Sequence, residues 1–117
     1  MNNFEKYPCP ACGFYTMVDD FYGGHEICLI CNWEDDCVQL ANPTSEGGAN
    51  KESLAYYQEK VAKSIGFEIM EYMGYQRDKT WRPLTQSEIL TANLKKAKER
   101  WHSNGIEDIK DVYWMKY

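Results

Sequence analysis

The sequence has little of several features that would place it in other structural classes. No apolar run approaches the ~18–20 residues of a membrane-spanning helix, and the mean hydropathy is −0.65. Proline and glycine together account for 12 of the 117 residues, which argues against disorder. Residues 1–5 contain neither a basic nor an apolar stretch, so we expect no cleaved signal peptide and a cytoplasmic location without membrane contact. A chain of 117 residues fits a single domain over residues 1–117.

Basic residues are scarce in the first half of the chain. Residues 1–50 contain eight acidic residues and a single base, Lys6, which gives a formal charge of −7. Residues 51–117 carry a formal charge of +2, so the total is −5. An acidic segment does not release counterions from a phosphate backbone, and binding to nucleic acid is therefore not expected. The acidity indicates either an ordinary solvated surface or a surface that attracts a basic protein partner.

Four of the five cysteines occur as two closely spaced pairs. The pairs are Cys9 with Cys12, called the first knuckle, and Cys28 with Cys31, called the second knuckle. Two intervening residues let the chain turn so that both sulfurs of a pair reach one metal ion at ~2.3 Å. The C-x2-C-x15-C-x2-C spacing is typical of a zinc site, so we expect these four cysteines to bind one zinc ion. Four thiolates leave no coordination position open, which indicates a structural ion.

Three other uses of the cysteine pairs remain open at this stage. Disulfide bonds are disfavoured by the odd number of cysteines and by the lack of a recognisable signal peptide. Four thiolates also suit iron. A redox dithiol at Cys9 and Cys12 would need a strand before the motif and a helix after it. The segment that follows, Phe14–Val18, instead reads as a strand.

Two further residues carry metal-binding side chains. Cys37 follows the acidic segment Glu34–Asp36, whose charges should raise the pKa of the thiol, so a reactive nucleophile is not expected. His25 lies beside two glycines and is more typical of a turn residue than of a metal ligand.

The residues around the knuckles predict a zinc ribbon at residues 5–45. Phe14–Val18 alternates as a strand does, and residues 19–24 supply a turn before the second knuckle. A ribbon of roughly 40 residues buries too little apolar surface to fold alone, so zinc is expected to contribute directly to folding.

Residues 50–117 predict a helical part. The first helix spans residues 51–66, with Asn50 as its cap, Gly66 as its end and an apolar face formed by Leu54, Tyr57, Val61 and Ile65. The second begins with the capping box at residues 85–88, ends at Asn104-Gly105 and has an apolar stripe formed by Leu90, Leu94, Ala97 and Trp101. Residues 67–84 are ambiguous, whereas the apolar C-terminal residues should dock on the core. The predicted fold class is α+β, with short antiparallel strands packed against two or more helices.

Three stretches of the sequence are similar to a known family. They are Tyr7–Phe14, Glu26–Asp36 and Val38–Pro43 followed by Gly47–Asn50. Together they resemble the small bacterial cysteine-rich CPCC proteins. The resemblance implies a zinc-ribbon-like module without a known catalytic activity. Small acidic proteins of this kind resemble immunity proteins encoded beside secreted nuclease toxins, which makes a toxin-immunity role one hypothesis.

The chain departs from the family pattern at two positions. Ala11 stands where the family has a cysteine adjacent to Cys12, so that additional cysteine is not an essential ligand in this chain. Cys37 stands where the family has a proline, which argues against a special role for this thiol.

The sequence as a whole favours a non-enzymatic zinc-binding protein-interaction module. The specific hypothesis is an immunity protein that neutralises a basic nuclease toxin through Glu34, Asp35 and Asp36, with Tyr22 as an aromatic anchor. The acidic segment could equally be a solvated turn or could pair with an arginine. The alternatives are a nucleic-acid-associated or regulatory zinc ribbon and a thiol redox protein. An enzyme is not expected, because the two histidines and the committed cysteines leave no catalytic set that spacing can assemble.

Overall fold

The structure, a computed structural model, describes residues 7–18, 22–98, 105–106 and 109–115. In these ranges the elements are, in order, β1 (Tyr7–Pro8), β2 (Tyr15–Met17), α1 (Cys37–Ala41), α2 (Leu54–Ser64), β3 (Glu71–Tyr72), β4 (Tyr75–Gln76), α3 (Gln86–Lys98) and two 3₁₀ turns (Ile109–Asp111 and Tyr113–Met115). β1 pairs with β2 and β3 pairs with β4, both in antiparallel orientation. The predicted α+β class, with short antiparallel strands and more than one helix, is confirmed.

The hairpin of β1 and β2 carries the first knuckle at its tip. The strand predicted at Phe14–Val18 is present, although β2 is limited to Tyr15–Met17. Tyr7 lies opposite Met17, and the register shifts between Tyr7 and Pro8. Of the predicted turn at residues 19–24, only residues 22–24 are described, and they do form a turn.

Helix α1 was not predicted from the sequence. Asp36 caps it, because one carboxylate oxygen accepts hydrogen bonds from the backbone N–H groups of Val38 (2.8 Å) and Gln39 (3.1 Å). The helix has five residues and is therefore too short to show an apolar period. The acidic residue at the cap was its only local signal.

Helix α2 confirms the predicted helix but not its predicted start. It begins at Leu54, and the Ser53 hydroxyl accepts a hydrogen bond from the backbone N–H of Tyr56 at 3.2 Å. Asn50 is not the cap, because its side chain accepts from the N–H of Glu34 (2.8 Å) and donates to the carbonyl of Glu34 (2.7 Å). The helix ends at Ser64, with Ile65 as its C-cap, and Gly66 follows as the expected stop signal with a φ of +89°.

The ambiguous segment 67–84 contains the second hairpin. β3 and β4 are joined by Met73 and Gly74, which both have positive φ angles, of 53° and 86°. Two successive positive φ angles match the right-handed twist of a tight hairpin. β4 leads into Arg77, which forms an isolated antiparallel bridge with Phe14 beside the first knuckle.

Helix α3 begins at the predicted capping box but does not bury the predicted stripe. The Thr85 hydroxyl accepts from the N–H of Glu88 at 3.1 Å, and the Glu88 carboxylate accepts from the N–H of Thr85 at 2.9 Å. Leu90 and Leu94 are 60% and 57% exposed. The expectation that they face the core is wrong, and a different side of the helix, which includes Ala92, lines a cavity together with Leu40 of α1 and Leu84. The predicted end at Asn104 and the side chain of Trp101 lie outside the described residues.

The core lies between the two knuckles, one face of α2 and the C-terminal residues. Leu54 and Val61 of α2 are buried, as are Val112 and Trp114. The predicted docking of the C-terminal residues is confirmed, since the Trp114 ring meets the Tyr22 ring edge-on at 6.0 Å. No helix within the described ranges has the length and apolar character needed to cross a membrane.

Candidate metal centre

Both knuckles have the same backbone turn. In the first, the N–H of Cys9 donates to the carbonyl of Phe14 (2.8 Å) and the N–H of Gly13 donates to the carbonyl of Cys9 (2.7 Å). The second repeats both bonds at the same spacing, from Cys28 to Trp33 (2.9 Å) and from Asn32 to Cys28 (3.0 Å).

The residue after each second cysteine completes this turn. Gly13 and Asn32 have φ angles of +81° and +69°. Glycine and asparagine are residues that adopt this left-handed conformation most readily. The sequence therefore builds the same cysteine-presenting turn twice.

The two knuckles bring all four predicted ligands together. The sulfur atoms of Cys9, Cys12, Cys28 and Cys31 lie within 4.8 Å of one another. Two pairs that cross between the knuckles, Cys9 with Cys31 and Cys12 with Cys28, are both separated by 3.6 Å. A tetrahedral ion with metal–sulfur bonds of ~2.3 Å separates its sulfur ligands by ~3.8 Å. The sulfur cluster is therefore the right size for one metal ion.

The surroundings of the sulfur atoms suit thiolates. Cys9, Cys12 and Cys28 are fully buried, and Cys31 is half-buried. The Cys28 sulfur accepts hydrogen bonds from the Thr16 hydroxyl at 3.2 Å and from the N–H of Ile30 at 3.4 Å. Donors of this kind stabilise a metal-bound sulfur and fix its orientation.

In the absence of a cation, the thiol pKa values of the cluster are shifted in opposite directions at different cysteines. Hydrogen bonds from the other cysteines lower the pKa of Cys28. Burial raises the pKa of Cys9, and hydrogen bonds with Cys12 and Cys28 raise the pKa of Cys31. Without a cation, the thiolate is thus favoured at Cys28 and the protonated thiol at Cys9 and Cys31, and a metal ion would have to displace the protons of the latter two.

The geometry of the cysteines argues against two of the alternatives to a metal site, disulfide bonds and a redox dithiol. All five cysteines are free, and a separation of 3.6 Å is far longer than a disulfide bond of ~2.05 Å. The first knuckle is followed by strand β2 rather than by the helix that a redox dithiol motif requires.

Three side chains from the second half of the chain hold the first knuckle in place, and the sequence did not reveal them. The Gln58 amide and the Trp81 indole N–H both donate to the carbonyl of Pro10, at 3.0 and 3.1 Å. Arg77 donates from Nε to the carbonyl of Cys12 at 2.8 Å. These contacts join residues 48 to 71 positions apart, so no local pattern could have indicated them.

Three of the four expected partner-binding residues are buried, and the expectation of an exposed surface there is wrong. The Asp35 carboxylate accepts hydrogen bonds from the N–H groups of Gly23 (2.6 Å) and Gly24 (3.0 Å). Asp36 is occupied as the cap of α1, and the Tyr22 hydroxyl donates to the carbonyl of Pro8 at 2.7 Å. Each of these buried side chains is hydrogen-bonded to the backbone, as buried polar groups in folded proteins generally are.

Glu34 is the exception. Its side chain is 35% exposed and lies 3.7 Å from the exposed imidazole of His25. His25 is not part of the sulfur cluster, in agreement with its prediction as a turn residue.

Cys37 also lies outside the sulfur cluster. Burial, followed by the charges of Asp36 and Asp35, raises the pKa of its thiol, which confirms the expected direction. The neighbouring acidic charges therefore raise the pKa of Cys37, as the sequence predicted, but burial raises it more.

Comparison with known proteins agrees with this geometry. A family model described as cysteine-rich CPCC matches residues 7–88, more than two thirds of the 117 residues. The matched region includes both knuckles and ends within the first turn of α3. No curated protein matches the chain.

Proposed function

Because the chain belongs to the cysteine-rich CPCC family, we propose that it is a non-enzymatic protein-interaction module built around a zinc ion bound by Cys9, Cys12, Cys28 and Cys31. The observation that carries the proposal is the convergence of four sulfur atoms within 4.8 Å. Soft thiolate ligands in a tetrahedral set favour zinc over harder cations such as magnesium or calcium.

The role that we propose for the zinc is structural. Four thiolates would fill every position of a tetrahedral ion, which leaves none for a substrate or an activated water molecule. The ion would join two separate backbone turns, and the strands beside it have only two and three residues. Metal binding would therefore supply folding energy that such short strands lack.

Metal analysis of the purified protein tests this proposal. We expect one zinc per chain and no absorbance band of an iron–thiolate centre. Reaction with a thiol reagent should be slow in the metal-loaded protein and fast after chelation. A folded protein with far less than one metal per chain, or with one iron per chain, would contradict the zinc assignment.

The partner that we propose is a basic protein, and a nuclease toxin is the specific hypothesis. The formal charge of the chain is −5 when the cysteines are counted as neutral, and it becomes −7 when four thiolates and one Zn²⁺, together −2, are included. Such a charge speeds the encounter with a basic partner. Glu34 is the member of the acidic segment that keeps substantial exposure, and the exposed apolar side chains of Ile27 and Leu29 lie on either side of Cys28.

Titration with the product of the gene immediately upstream tests the partner. We expect binding at micromolar concentration or tighter, weakened by salt and by Glu34→Lys combined with Leu29→Asp. A matched control replaces Glu59, an exposed acid on α2, with lysine. Absence of binding would remove the toxin hypothesis, and steep salt-dependent affinity for DNA would instead favour a nucleic-acid-associated role.

A further inference from the structure

Arg77 is the only basic residue that is buried within the described ranges. It follows β4 and is 4% exposed. Its guanidinium carbon lies 4.3 Å from the centre of the Phe14 ring, and the rings of Phe67 and Trp81 lie at 5.8 and 5.7 Å. The charge is therefore enclosed by aromatic side chains directly behind the first knuckle.

The hydrogen bonds of this guanidinium reach only neutral acceptors. Nε donates to the carbonyl of Cys12, and Nη1 donates to the carbonyls of Gly66 and Ile69, all at 2.8 Å. Nη2 has no acceptor among the residues that the structure describes. The three bonds fix the position of the group but leave its positive charge unpaired.

No carboxylate of the described residues forms an ion pair with Arg77, and the charge of Glu68 acts on it from beyond ion-pair distance. The contacts of His25 with Glu34 at 3.7 Å and of Arg82 with Glu88 at 2.8 Å do not involve Arg77. A buried charge without an ionic partner is strongly unfavourable. Cation–π contacts with the surrounding rings offset only part of that cost.

The sulfur cluster is a buried source of negative charge beside Arg77. Four thiolates around a divalent cation carry a net charge of −2, and Arg77 is hydrogen-bonded to the backbone of one of the four cysteines. Burial lowers the pKa of Arg77, and the negative charges of Cys12 and Glu68 act in the opposite direction. The negative charge of the loaded cluster and the positive charge of the guanidinium therefore offset each other in the protein interior.

We infer that Arg77 is the buried counter-cation of the four-cysteine site and that its positive charge, held behind the first knuckle, strengthens metal binding. This inference rests on the proposed metal site and adds to it a residue from outside both knuckles. Arg77 acts through the cysteines rather than on the ion, so it is a positioning residue. Its three carbonyl bonds also join the first knuckle to the segment that follows α2.

Substitutions that separate charge from hydrogen bonding test the inference. Arg77→Gln removes the charge, and Arg77→Lys keeps the charge but loses most of the fork of hydrogen bonds. We expect Arg77→Gln to weaken zinc affinity about 10- to 100-fold and Arg77→Lys to stay within about threefold of the unmodified protein. The measurement is competition with a chromophoric chelator, supported by the thiolate-to-Co²⁺ absorbance of the cobalt form.

Arg82→Gln is the matched control. It removes the same formal charge from an arginine that is paired with Glu88, and we expect zinc affinity within about threefold of the unmodified protein. A loss of about tenfold or more in Arg77→Lys would overturn the inference, because the charge alone would then not suffice. The zinc affinity of Arg77→Lys therefore tests the inference even if Arg77→Gln does not fold.

A double-mutant cycle with Cys31→His gives a second, independent readout. Histidine in place of the half-buried Cys31 lowers the negative charge of the loaded site by one, so Arg77→Gln should cost less zinc affinity in that background. Equal costs in both backgrounds would indicate a purely structural role and would overturn the inference. If the unmodified protein bound no metal, the proposed function itself would fail. If it bound metal and all Arg77 variants matched it, only the counter-cation would be rejected.

Discussion

At the scale of single residues, the backbone conformation of one residue in each knuckle helps to set the positions of the cysteine sulfurs. Gly13 and Asn32 each occupy the left-handed position that closes a knuckle. Gly13 has an additional constraint, since a Cβ atom at this position would lie 2.4 Å from the Trp81 ring. The glycine thus serves both the turn and the close approach of the indole that binds the carbonyl of Pro10.

Replacing Gly13 with alanine should be more damaging than an equivalent change elsewhere. We expect Gly13→Ala to lower the free energy of unfolding by about 2–4 kcal/mol, from the left-handed conformation and the clash with Trp81 combined. Gly74→Ala is the control, because Gly74 has a similar φ of +86° but no atom within 4 Å of an added Cβ. Its cost should be about 1 kcal/mol. Urea unfolding of the metal-loaded proteins provides the comparison, and equal losses would contradict the Trp81 argument.

Replacement of different cysteines should have very different effects on metal binding and folding. Cys28→Ser removes a fully buried member of the sulfur cluster, and we expect loss of metal binding and of cooperative folding. Cys37→Ser is the matched control, since this thiol lies outside the cluster and should leave one metal per chain. Metal analysis and near-ultraviolet circular dichroism measure both properties. A folded, metal-free Cys28→Ser protein would refute the structural role of the site.

At the scale of secondary-structure elements, the family-like stretches turn out to be bonded to one another. The second carboxylate oxygen of Asp36 accepts from the N–H of Ala49 at 2.9 Å. The Gln39 amide on α1 donates to the carbonyls of Ser45, Asn50 and Glu52. A Cβ atom on Gly48 would lie 2.6 Å from Asp36, so glycine is needed for this approach. The acidic segment and the Gly47–Asn50 loop thus form one polar network that orients α1 and the start of α2.

Loss of the Asp36 carboxylate should therefore weaken the fold rather than a surface contact. We expect Asp36→Ala to lower the free energy of unfolding by about 1–3 kcal/mol, because the cap of α1 and the acceptor for Ala49 are both lost. Glu46→Ala, at an exposed acid in the neighbouring loop, should stay within about 0.5 kcal/mol. Thermal and urea unfolding measure both changes. Similar values for the two variants would contradict the structural role of Asp36.

At the scale of the whole molecule, the two parts of the chain depend on each other. Gln58, Arg77 and Trp81 come from the second part, and each donates a hydrogen bond to the first knuckle. Tyr113 extends the connection, because its hydroxyl accepts from Gln58 and donates to the carbonyl of Arg82. The four-cysteine cluster is thus supported by side chains from residues spread over most of the chain.

Metal binding should release protons from the protein, so zinc affinity should depend on pH. The raised pKa values of Cys9 and Cys31 mean that both thiols are protonated near neutral pH before the ion binds. Each proton that zinc displaces makes the affinity about tenfold weaker for every unit by which the pH falls. Displacement of two protons therefore corresponds to a loss of at least ~100-fold in zinc affinity per pH unit. Chelator competition between pH 6 and 8, corrected for the titration of the chelator, measures the slope. A change below about tenfold per unit would contradict this coupling.

The sequence alone determined the features that depend on residues close together in the chain. Two residues between paired cysteines set the reach of their sulfurs, the capping box at residues 85–88 sets the start of α3, and Gly66 sets the end of α2. The tertiary structure alone decided which polar and apolar groups face inward. Asp35 and Asp36 are buried and accept hydrogen bonds from backbone N–H groups more than ten residues away, whereas Leu90 and Leu94 of α3 are exposed. Arg77 reaches the first knuckle from 65 residues away, and only long-range packing can place a charge there.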